Sequence, residues 1–511
     1  MAEASGGRTK TAARPSAMRG ERAVEVISDP RRHPLPSRIE GVPFPAPVEK
    51  LLLAGLYTGV VALLVHGGAP LAGVRSLAGL LGLVLVLNYL FGRHLSKVEP
   101  GFVRSTRSQV GMYGAVLIVL GAARFLVDAA LVPGAPAWLP HLVPLALATL
   151  VARIVHGQRF ALEVTTYAGI LLAVLLVVRG HPQAAVIEVL AVQLSGALVA
   201  AILTGSIRKR SKLVKVGVAI GCAQVITLAC FQALVGDFDR TALVFAWLQG
   251  LAIGYFVTGS LPMIEALFQV LTDISLLELC NENDQPLLKK LLLTAPGTHH
   301  HSFIVGVLGE AAAESVGANP LLCRAGAYYH DIGKMVKPEY FAENQAKAGG
   351  CSPHDELEPA MSFLVICSHV KDGVEIGRRY GLHPRLLEFI PTHHGTSLVQ
   401  YFYHRAMTRS PDDDVDESAF RYSGPRPRTK ETGIVNLADA VEASTRSLDH
   451  PSPARIRNQV HDIIMNRMMD RQLDETPLTF ADLSRIEDAF VHVLVGIFHV
   501  RPKYPQITVK G

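Results

Sequence analysis

Histidine and aspartate residues follow apolar segments at several points in the second half of the chain. His330 and Asp331 come directly after such a segment and precede Ile-Gly-Lys, where a glycine permits a turn. His369 closes a second apolar stretch, and His393 with His394 closes a third. Imidazole and carboxylate ligands without thiolates suit Fe, Mn or Zn rather than a structural zinc site. The residue types therefore indicate metal-dependent chemistry.

Two further positions fit the same chemistry. Asp439 lies within an apolar helical segment, where an unpaired carboxylate would be costly and a bound metal would remove that cost. Three consecutive histidines, His299 to His301, open the helix predicted to begin at Ser302. Any one of these residues could be an ordinary core or surface residue, but together they predict a metal site in one domain.

These side chains need a helical framework to bring them together. From about residue 295 to 511, apolar residues recur at helical spacing and few segments have the alternation of a strand. The predicted helices lie at about 302–316, 321–330, 359–379, 384–394, 430–447, 454–470 and 479–498. The second half of the chain is therefore predicted to be all-α.

The first half of the chain has the pattern of a membrane domain. Of the 511 residues, 49% are hydrophobic and only 18% are charged, against about 25% charged in a typical soluble domain. A spanning helix needs about 20 apolar residues. Eight spans are predicted, at about 51–67, 76–92, 110–132, 137–153, 160–178, 184–204, 214–235 and 241–258.

Lysine and arginine residues alternate between the loops that join these spans. The segment before the first span and every second loop after it are the richer ones. By the positive-inside rule, the N-terminus and everything after residue 260 then lie in the cytoplasm. No paired half-helices or repeated Gly/Pro breaks suggest a transporter core. The net charge of +5 is too mild to predict binding to a nucleic acid polymer.

Four regions follow from this pattern. We expect a disordered basic cytoplasmic tail at 1–48, a transmembrane domain at 49–260, a connecting helix at 261–294 and a helical metal-binding domain at 295–511. The connecting helix is expected to break near residues 281–286. The six cysteines are expected to be free thiols in a reducing compartment.

The order of the motifs resembles that of a known family. The chain is similar to the HD superfamily of metal phosphohydrolases, and more closely to the membrane-anchored 7TM-HD (PgpH-type) cyclic-di-AMP phosphodiesterases of bacteria. The resemblance is strong over about 274–511 and looser over the spans. The motifs that carry it are His301-Ser302, His330-Asp331-Ile332-Gly333-Lys334, Ser368-His369-Val370-Lys371-Asp372-Gly373, His393-His394-Gly395-Thr396 and Leu437-Ala438-Asp439.

This resemblance implies a centre of two divalent metal ions, with Fe or Mn expected. The implied ligands are His301, His330 and Asp439 for one ion, His369, His393 and His394 for the other, and Asp331 as a bridge between both. Two such ions can share and orient a hydroxide for attack on a phosphodiester. The implied substrate is a cyclic dinucleotide, with cyclic di-AMP cleaved to pApA as the first choice. Another cyclic dinucleotide or nucleotide remains open.

Three residues are candidates for contact with the substrate. Lys334 follows the His-Asp signature closely enough to meet a phosphate, although a solvated turn lysine would look the same. Arg421 and Tyr422 lie in a basic loop before the Asp439 helix, where they could bind a phosphate or stack on a base. A solvated loop is the alternative.

The chain departs from the family at one point. Only about ten residues join the first two predicted spans, where members of the family usually carry a large extracellular domain. The sequence then predicts a multi-pass enzyme of the bacterial inner membrane, surrounded by lipid, with its HD domain in the cytoplasm; homodimer formation stays open. A receptor that binds a nucleotide without cleaving it is the alternative, but such a protein would lack metal ligands, and here every ligand position is filled.

Overall fold

The described chain is built from helices. The computed structural model describes residues 46–67, 73–99, 102, 105–345, 352–409, 415–448 and 451–498, and within these ranges it contains helices and no β-strand. This confirms the predicted all-α class. Nearly all of the predicted tail at 1–48 lies outside the described residues. The helices of the first half are α1 (Ala46–His66), α2 (Gly73–Val98), α3 (Thr106–Ala130), α4 (Leu145–His156), α5 (Gln158–Val178), α6 (Gln183–Leu203), α7 (Ser211–Val235) and α8 (Arg240–Phe268).

Eight segments of the described chain are long and apolar enough to cross a membrane, as predicted, and the protein is a multi-pass membrane protein. The fourth segment, Leu139–His156, is the irregular one. It consists of a 3-10 turn at Leu139–Leu142 followed by α4. Val143 between them is extended, because a residue before a proline disfavours the helical conformation, and Pro144 follows.

The last membrane helix extends further than the sequence pattern indicated. The apolar pattern predicted a last span that ends near residue 258 and a membrane domain that ends at 260, but α8 continues through Pro262 to Phe268. Leu261, Ile264 and Phe268 are buried, so this helix keeps a packed face beyond the proline. Packing against neighbouring helices lets a proline remain inside a membrane helix.

Helices α7 and α8 cross with their backbones in contact. Gly217 and Gly221 of α7 meet Gly250 and Gly254 of α8, and a Cβ atom added at Gly250 would lie 2.2 Å from the Gly221 nitrogen. Residues four apart lie on one face of a helix. Small residues at this spacing allow two membrane helices to approach closely, so this crossing requires glycine.

A charged cluster ties the ends of three membrane helices together. Asp128 accepts a hydrogen bond from Arg124 of the same helix at 2.5 Å and lies 2.6 Å from Nη2 of Arg179, which follows α5. Arg124 also donates to the carbonyl oxygens of Leu64 and Gly67 at the end of α1. The charges satisfy one another and the free carbonyls of a helix end, so the cluster has a structural role.

The second half of the described chain forms a separate helical layer. Two short helices, broken at 280–285, occupy the region predicted to connect the two halves. Its buried apolar residues form a cluster from Leu276 to Leu494, distinct from the cluster between Tyr57 and Ile274 in the membrane domain. Its helices are α9 (Asp273–Leu279), α10 (Pro286–Thr294), α11 (Pro296–Ser315), α12 (Pro320–Tyr329), α13 (Pro359–Arg379), α14 (Pro384–Leu387), α15 (Phe389–Thr392), α16 (Gln400–Arg409), α17 (Lys430–Arg446), α18 (Pro453–Met469) and α19 (Phe480–Ile497).

Two groups of contacts hold the end of α8, one from within the membrane half and one from the helical layer. Arg107 of α3 donates to the carbonyl oxygens of Leu267 (2.7 Å) and Ala266 (2.9 Å) near the end of α8. His383, just before α14, lies with Nε2 2.9 Å from the carbonyl oxygen of Gln269. The end of α8 is therefore held from both sides.

Candidate metal centre

The structure brings all seven predicted ligands into two adjacent groups. His301, His330, Asp331 and Asp439 form one group, and His369, His393 and His394 form the other. Within each group, one potential ligand atom of every residue lies within 4.8 Å of the others. All except His394 are buried.

The ligands are delivered by several elements of the helical layer. His301 lies on α11, and His330 caps the C-terminus of α12. Asp331 precedes a 3-10 turn at Ile332–Val336 that packs against α13. A Cβ atom at Gly333 would lie 1.8 Å from the carbonyl oxygen of His369, so only glycine lets this turn lie so close to α13.

Asp331 lies between the two groups. Its Oδ2 is 3.2 Å from Nε2 of His330 and 3.6 Å from Nε2 of His301. Its Oδ1 is 3.4 Å from Nε2 of both His369 and His393. One oxygen of a single carboxylate thus points toward each group, as a bridging ligand requires.

Backbone carbonyls fix the orientation of three imidazoles. A ring that donates its Nδ1 proton presents the lone pair of Nε2 to the cluster. The Nδ1 atoms of these rings lie close to the carbonyl oxygen three residues earlier: His330 to Ala327 (2.6 Å), His369 to Ile366 (2.5 Å) and His393 to Ile390 (2.6 Å).

His301 is oriented by a carboxylate instead. Its Nδ1 hydrogen-bonds to Glu442, which also pairs with Arg446, and its Nε2 lies 3.0 Å from Oδ1 of Asp439. Burial alone would lower the pKa of His301, but the hydrogen bonds with Asp439 and Glu442 raise it to about 9. The carboxylates therefore favour a cation at this position.

In the second group, the pKa values of two histidines are lowered rather than raised. Burial lowers the pKa of His369 to about 3 and lowers that of His394 well below its ordinary value. These two rings are therefore neutral, which is the form that binds a metal.

The donor atoms fit a divalent metal. Both oxygens of Asp331 and Nε2 of His330 are buried and accept or donate no hydrogen bond of normal geometry, although Lys334 Nζ lies 2.7 Å from Oδ2. Buried polar atoms are normally hydrogen-bonded. Three neighbouring atoms that can ligate a metal and have no such partner are therefore suited to a cation. Five imidazoles and two carboxylates, without a thiolate, match the ligands of Fe, Mn or Zn.

Lys334 lies at the edge of the first group. Its ammonium is 2.7 Å from Oδ2 of Asp331 and 2.9 Å from Oε1 of Glu343. Burial opposes its charge, but Asp331 and Glu343 raise the pKa of Lys334 above its ordinary value. The lysine is therefore a fixed cation beside the predicted ligands.

A cavity of about 990 Å³ opens beside the cluster. Its wall includes His301, His394 and Asp439, together with residues of α17 and α18. This size falls at the upper end of pockets that hold drug-sized ligands, so a dinucleotide can be accommodated.

The two residues of the predicted substrate loop have different surroundings. Arg421 lines the cavity, but its guanidinium lies 2.9 Å from Asp470 and donates to the carbonyl oxygen of Thr396 at 2.9 Å. The Tyr422 ring stacks on His394, with centroids 4.2 Å apart, and does not appear among the described residues that line the cavity. Substrate contact by either residue stays a prediction.

Several other histidines of this domain lie outside the cluster. His299 lies 3.1 Å from Glu282, and His300 is exposed. His354 packs between Tyr340 and Phe402. The structure thus brings His301, rather than its two neighbours, to the cluster.

Sequence reasoning missed the residues that support the ligands. Glu442 follows Asp439 by three positions on α17, so both side chains share one helix face, and this spacing could have revealed it. Glu343 lies in a short 3-10 turn at Ala342–Asn344 and has no comparable signal.

Two family models match the chain. The model for 7TM receptors with an intracellular HD hydrolase matches residues 74–272, and the model for the HD domain matches residues 298–444. Together they account for more than half of the chain. The chain belongs to the 7TM-HD family. The seven helices α2 to α8 lie within the first match, and α1 precedes it, so the 7TM-HD protein has one additional candidate span.

The similar proteins include two curated bacterial enzymes. The Bacillus subtilis cyclic-di-AMP phosphodiesterase PgpH is 42% identical over 311 residues, which are 60% of this chain and 43% of the relative. The Listeria monocytogenes protein of the same name is 41% identical over 302 residues, or 58% of this chain and 41% of the relative. This 7TM-HD chain thus matches less than half the length of each relative.

Crystal structures of a related HD domain are also known. The HD domain of L. monocytogenes PgpH in complex with cyclic di-AMP is 45% identical and has a TM-score of 0.40, covering 43% of this chain and all of that one.

Proposed function

We propose that this 7TM-HD protein is a membrane-anchored, metal-dependent phosphodiesterase that hydrolyses a cyclic dinucleotide, with cyclic di-AMP as substrate and pApA as product. The observation that carries the proposal is the position of Asp331, with one oxygen toward each ligand group. The names of the two curated relatives support the choice of substrate.

Two divalent ions, Fe or Mn, would be held by the seven imidazole and carboxylate ligands, with Asp331 shared between them. When bound, such ions supply a nucleophile at neutral pH and neutralise charge that develops on the phosphoryl oxygens.

The protein itself supplies orientation and charge. The backbone carbonyls behind His330, His369 and His393 hold these rings in one orientation. The Lys334 ammonium, fixed between Asp331 and Glu343, provides a cation to bind a phosphate oxygen at the ligand end of the cavity. Burial of the ligand groups lowers the local dielectric and so strengthens these interactions.

We also place the HD domain in the cytoplasm of a bacterial cell, with the spans in the inner membrane. The distribution of basic residues supports this orientation. Arg208, Lys209 and Arg210 lie between α6 and α7, and Lys212 and Lys215 lie in the first turns of α7, whereas Arg240 is alone near the α7–α8 turn.

The test is turnover by the full chain. Purified in lipid nanodiscs and loaded with Mn²⁺ or Fe²⁺, the wild type should convert cyclic di-AMP to pApA. Asp331→Ala should reduce turnover to background, because both metal sites lose a ligand. The surface variant Asp488→Ala, which removes an exposed partner of Arg457, serves as the control and should keep full activity.

Two results would contradict the proposal. The absence of turnover with any cyclic dinucleotide, from protein shown to contain metal, would exclude the activity, and binding without turnover would favour a receptor. Near-normal turnover by Asp331→Ala would show that Asp331 does not bridge the two sites.

A further inference from the structure

Four lysine or arginine side chains of the described residues line the cavity: Lys334, Arg421, Arg446 and Arg467. The first three have anionic partners in the protein. Lys334 pairs with Asp331 and Glu343, Arg421 pairs with Asp470, and Arg446 pairs with Glu442. The charges of Arg421 and Arg446 are thus already matched by carboxylates, and Lys334 is assigned to the phosphate at the ligand end of the cavity.

Arg467 differs from the other three. It lies in the last turn of α18 and forms no ion pair within 4.0 Å and no side-chain hydrogen bond with any residue that the structure describes. It is partly buried in the wall. Burial lowers the pKa of Arg467, while the more distant Asp439 and Asp470 act in the opposite direction. A guanidinium keeps its charge in proteins. Arg467 therefore presents a cation with five N–H hydrogen-bond donors at the cavity wall.

The Arg467 guanidinium has no carboxylate partner among the described residues, so a bound anion would supply its counter-charge. Guanidinium groups suit this task, because their planar donors match two oxygens of a phosphate at once. A cyclic dinucleotide carries two phosphodiesters in one ring. When one of them lies at the ligand end of the cavity, the other remains anionic and needs a partner elsewhere in the wall.

We propose that Arg467 binds the phosphate of the cyclic dinucleotide that is not being cleaved, and so selects substrates with two phosphates. This rests on the proposed phosphodiesterase function and names Arg467 as a positioning residue for its substrate. Arg421 and Arg446 are less suited, because carboxylates already occupy their donors.

The test compares two ligands that share both bases and differ in phosphate number. Cyclic di-AMP has two phosphodiesters, and adenylyl-(3′–5′)-adenosine has one. In the metal-loaded full chain, Arg467→Gln should raise KM for cyclic di-AMP by about 10- to 100-fold, as expected for loss of a charge-assisted hydrogen bond. The kcat value should stay within about threefold, since the cleaved phosphate lies elsewhere.

The one-phosphate ligand provides the decisive comparison. Its inhibition constant, or its KM if it is cleaved, should change by less than about threefold in Arg467→Gln, because it has no second phosphate to lose. Arg467→Lys should bind cyclic di-AMP more tightly than Arg467→Gln but less tightly than the wild type. Lysine keeps the positive charge but cannot donate two parallel hydrogen bonds to one phosphate. Arg457→Gln, on the exposed side of the same helix, should change neither ligand.

Two outcomes would overturn the assignment. Equal weakening of both ligands would mean that Arg467 acts on the fold or on a base, and an unchanged KM for cyclic di-AMP would mean that it does not contact the substrate. A wild type that cleaves no cyclic dinucleotide would instead refute the proposed function, and inhibition constants for the two ligands against any phosphodiester that it does cleave would still test Arg467.

Discussion

At the scale of single residues, the ligand cluster depends on partners that are not themselves predicted metal ligands. Three imidazoles are oriented by backbone carbonyls, which no substitution of a side chain removes. His301 is the exception, because its Nδ1 meets the Glu442 side chain. This makes Glu442 the accessible point at which the supporting contacts can be tested.

We expect Glu442→Gln to weaken metal binding by about 10- to 100-fold, because a neutral amide supports the His301 ring less well than a carboxylate. The measurement is a metal titration of the full chain, followed by metal content and by turnover. Glu487→Gln is a matched control, since Glu487 also contacts an imidazole, that of His461, but at the surface. An identical titration curve for Glu442→Gln and the wild type would refute this role.

Single residues also show what sequence could and could not predict. The pattern of His330 and Asp331 after an apolar helix indicated a metal site, and the family resemblance selected His301 from three adjacent histidines. Sequence could not predict whether Lys334, Arg421 and Arg467 form ion pairs. The presence of a carboxylate beside each cation depends on tertiary packing. Asp470, for example, is 49 positions from Arg421.

At the scale of elements, the crossing of α7 and α8 depends on glycine. Gly250→Leu would force side-chain atoms into the backbone of α7, because even a Cβ atom there lies 2.2 Å from the Gly221 nitrogen. We expect a loss of about 1–3 kcal/mol in membrane-domain stability, measured as thermal unfolding of the full chain in detergent.

The control for this substitution lies on the same helix. A Cβ atom at Gly259 would meet nothing within 4 Å, so Gly259→Leu should change the unfolding temperature little. Equal effects of the two substitutions would show that close packing of α7 on α8 is not what Gly250 provides.

The sequence was informative about elements wherever the signal was local. Eight spans could be counted because each apolar segment is continuous in the chain. The end of α8 was misplaced, because Pro262 reads locally as a stop, whereas packing of Ile264 and Phe268 continues the helix. The contact of Gly217 with Gly254 depends on which two helices pack together, which the hydropathy pattern does not specify.

At the scale of the whole molecule, the described chain has two large apolar cores that divide near residue 275. One extends from Tyr57 to Ile274 and the other from Leu276 to Leu494. Few polar contacts join the halves, among them Arg210 with Glu278 at 3.0 Å and His383 with Gln269 at 2.9 Å. The helical layer therefore has a core of its own.

We predict that residues 271–511 fold without the membrane domain. This fragment should unfold cooperatively, within about 5 °C of the corresponding transition of the full chain, because it retains its entire apolar cluster. Circular dichroism during heating would measure this. A fragment that is aggregated or lacks a cooperative transition would show that the membrane domain completes the core.

The stretches of sequence that follow α1, α3, α5 and α7 are short, and the longest of them is residues 131–138 before the fourth segment. If all eight helices cross, these stretches lie on the side opposite to the helical layer, where they leave too little chain between spans to build a separate domain. A stimulus from that side would then have to act on the helices themselves, through bilayer thickness, tension or a lipid-soluble compound. Any such effect would reach the helical layer through the few contacts between the halves, those of His383 with Gln269 and of Arg210 with Glu278.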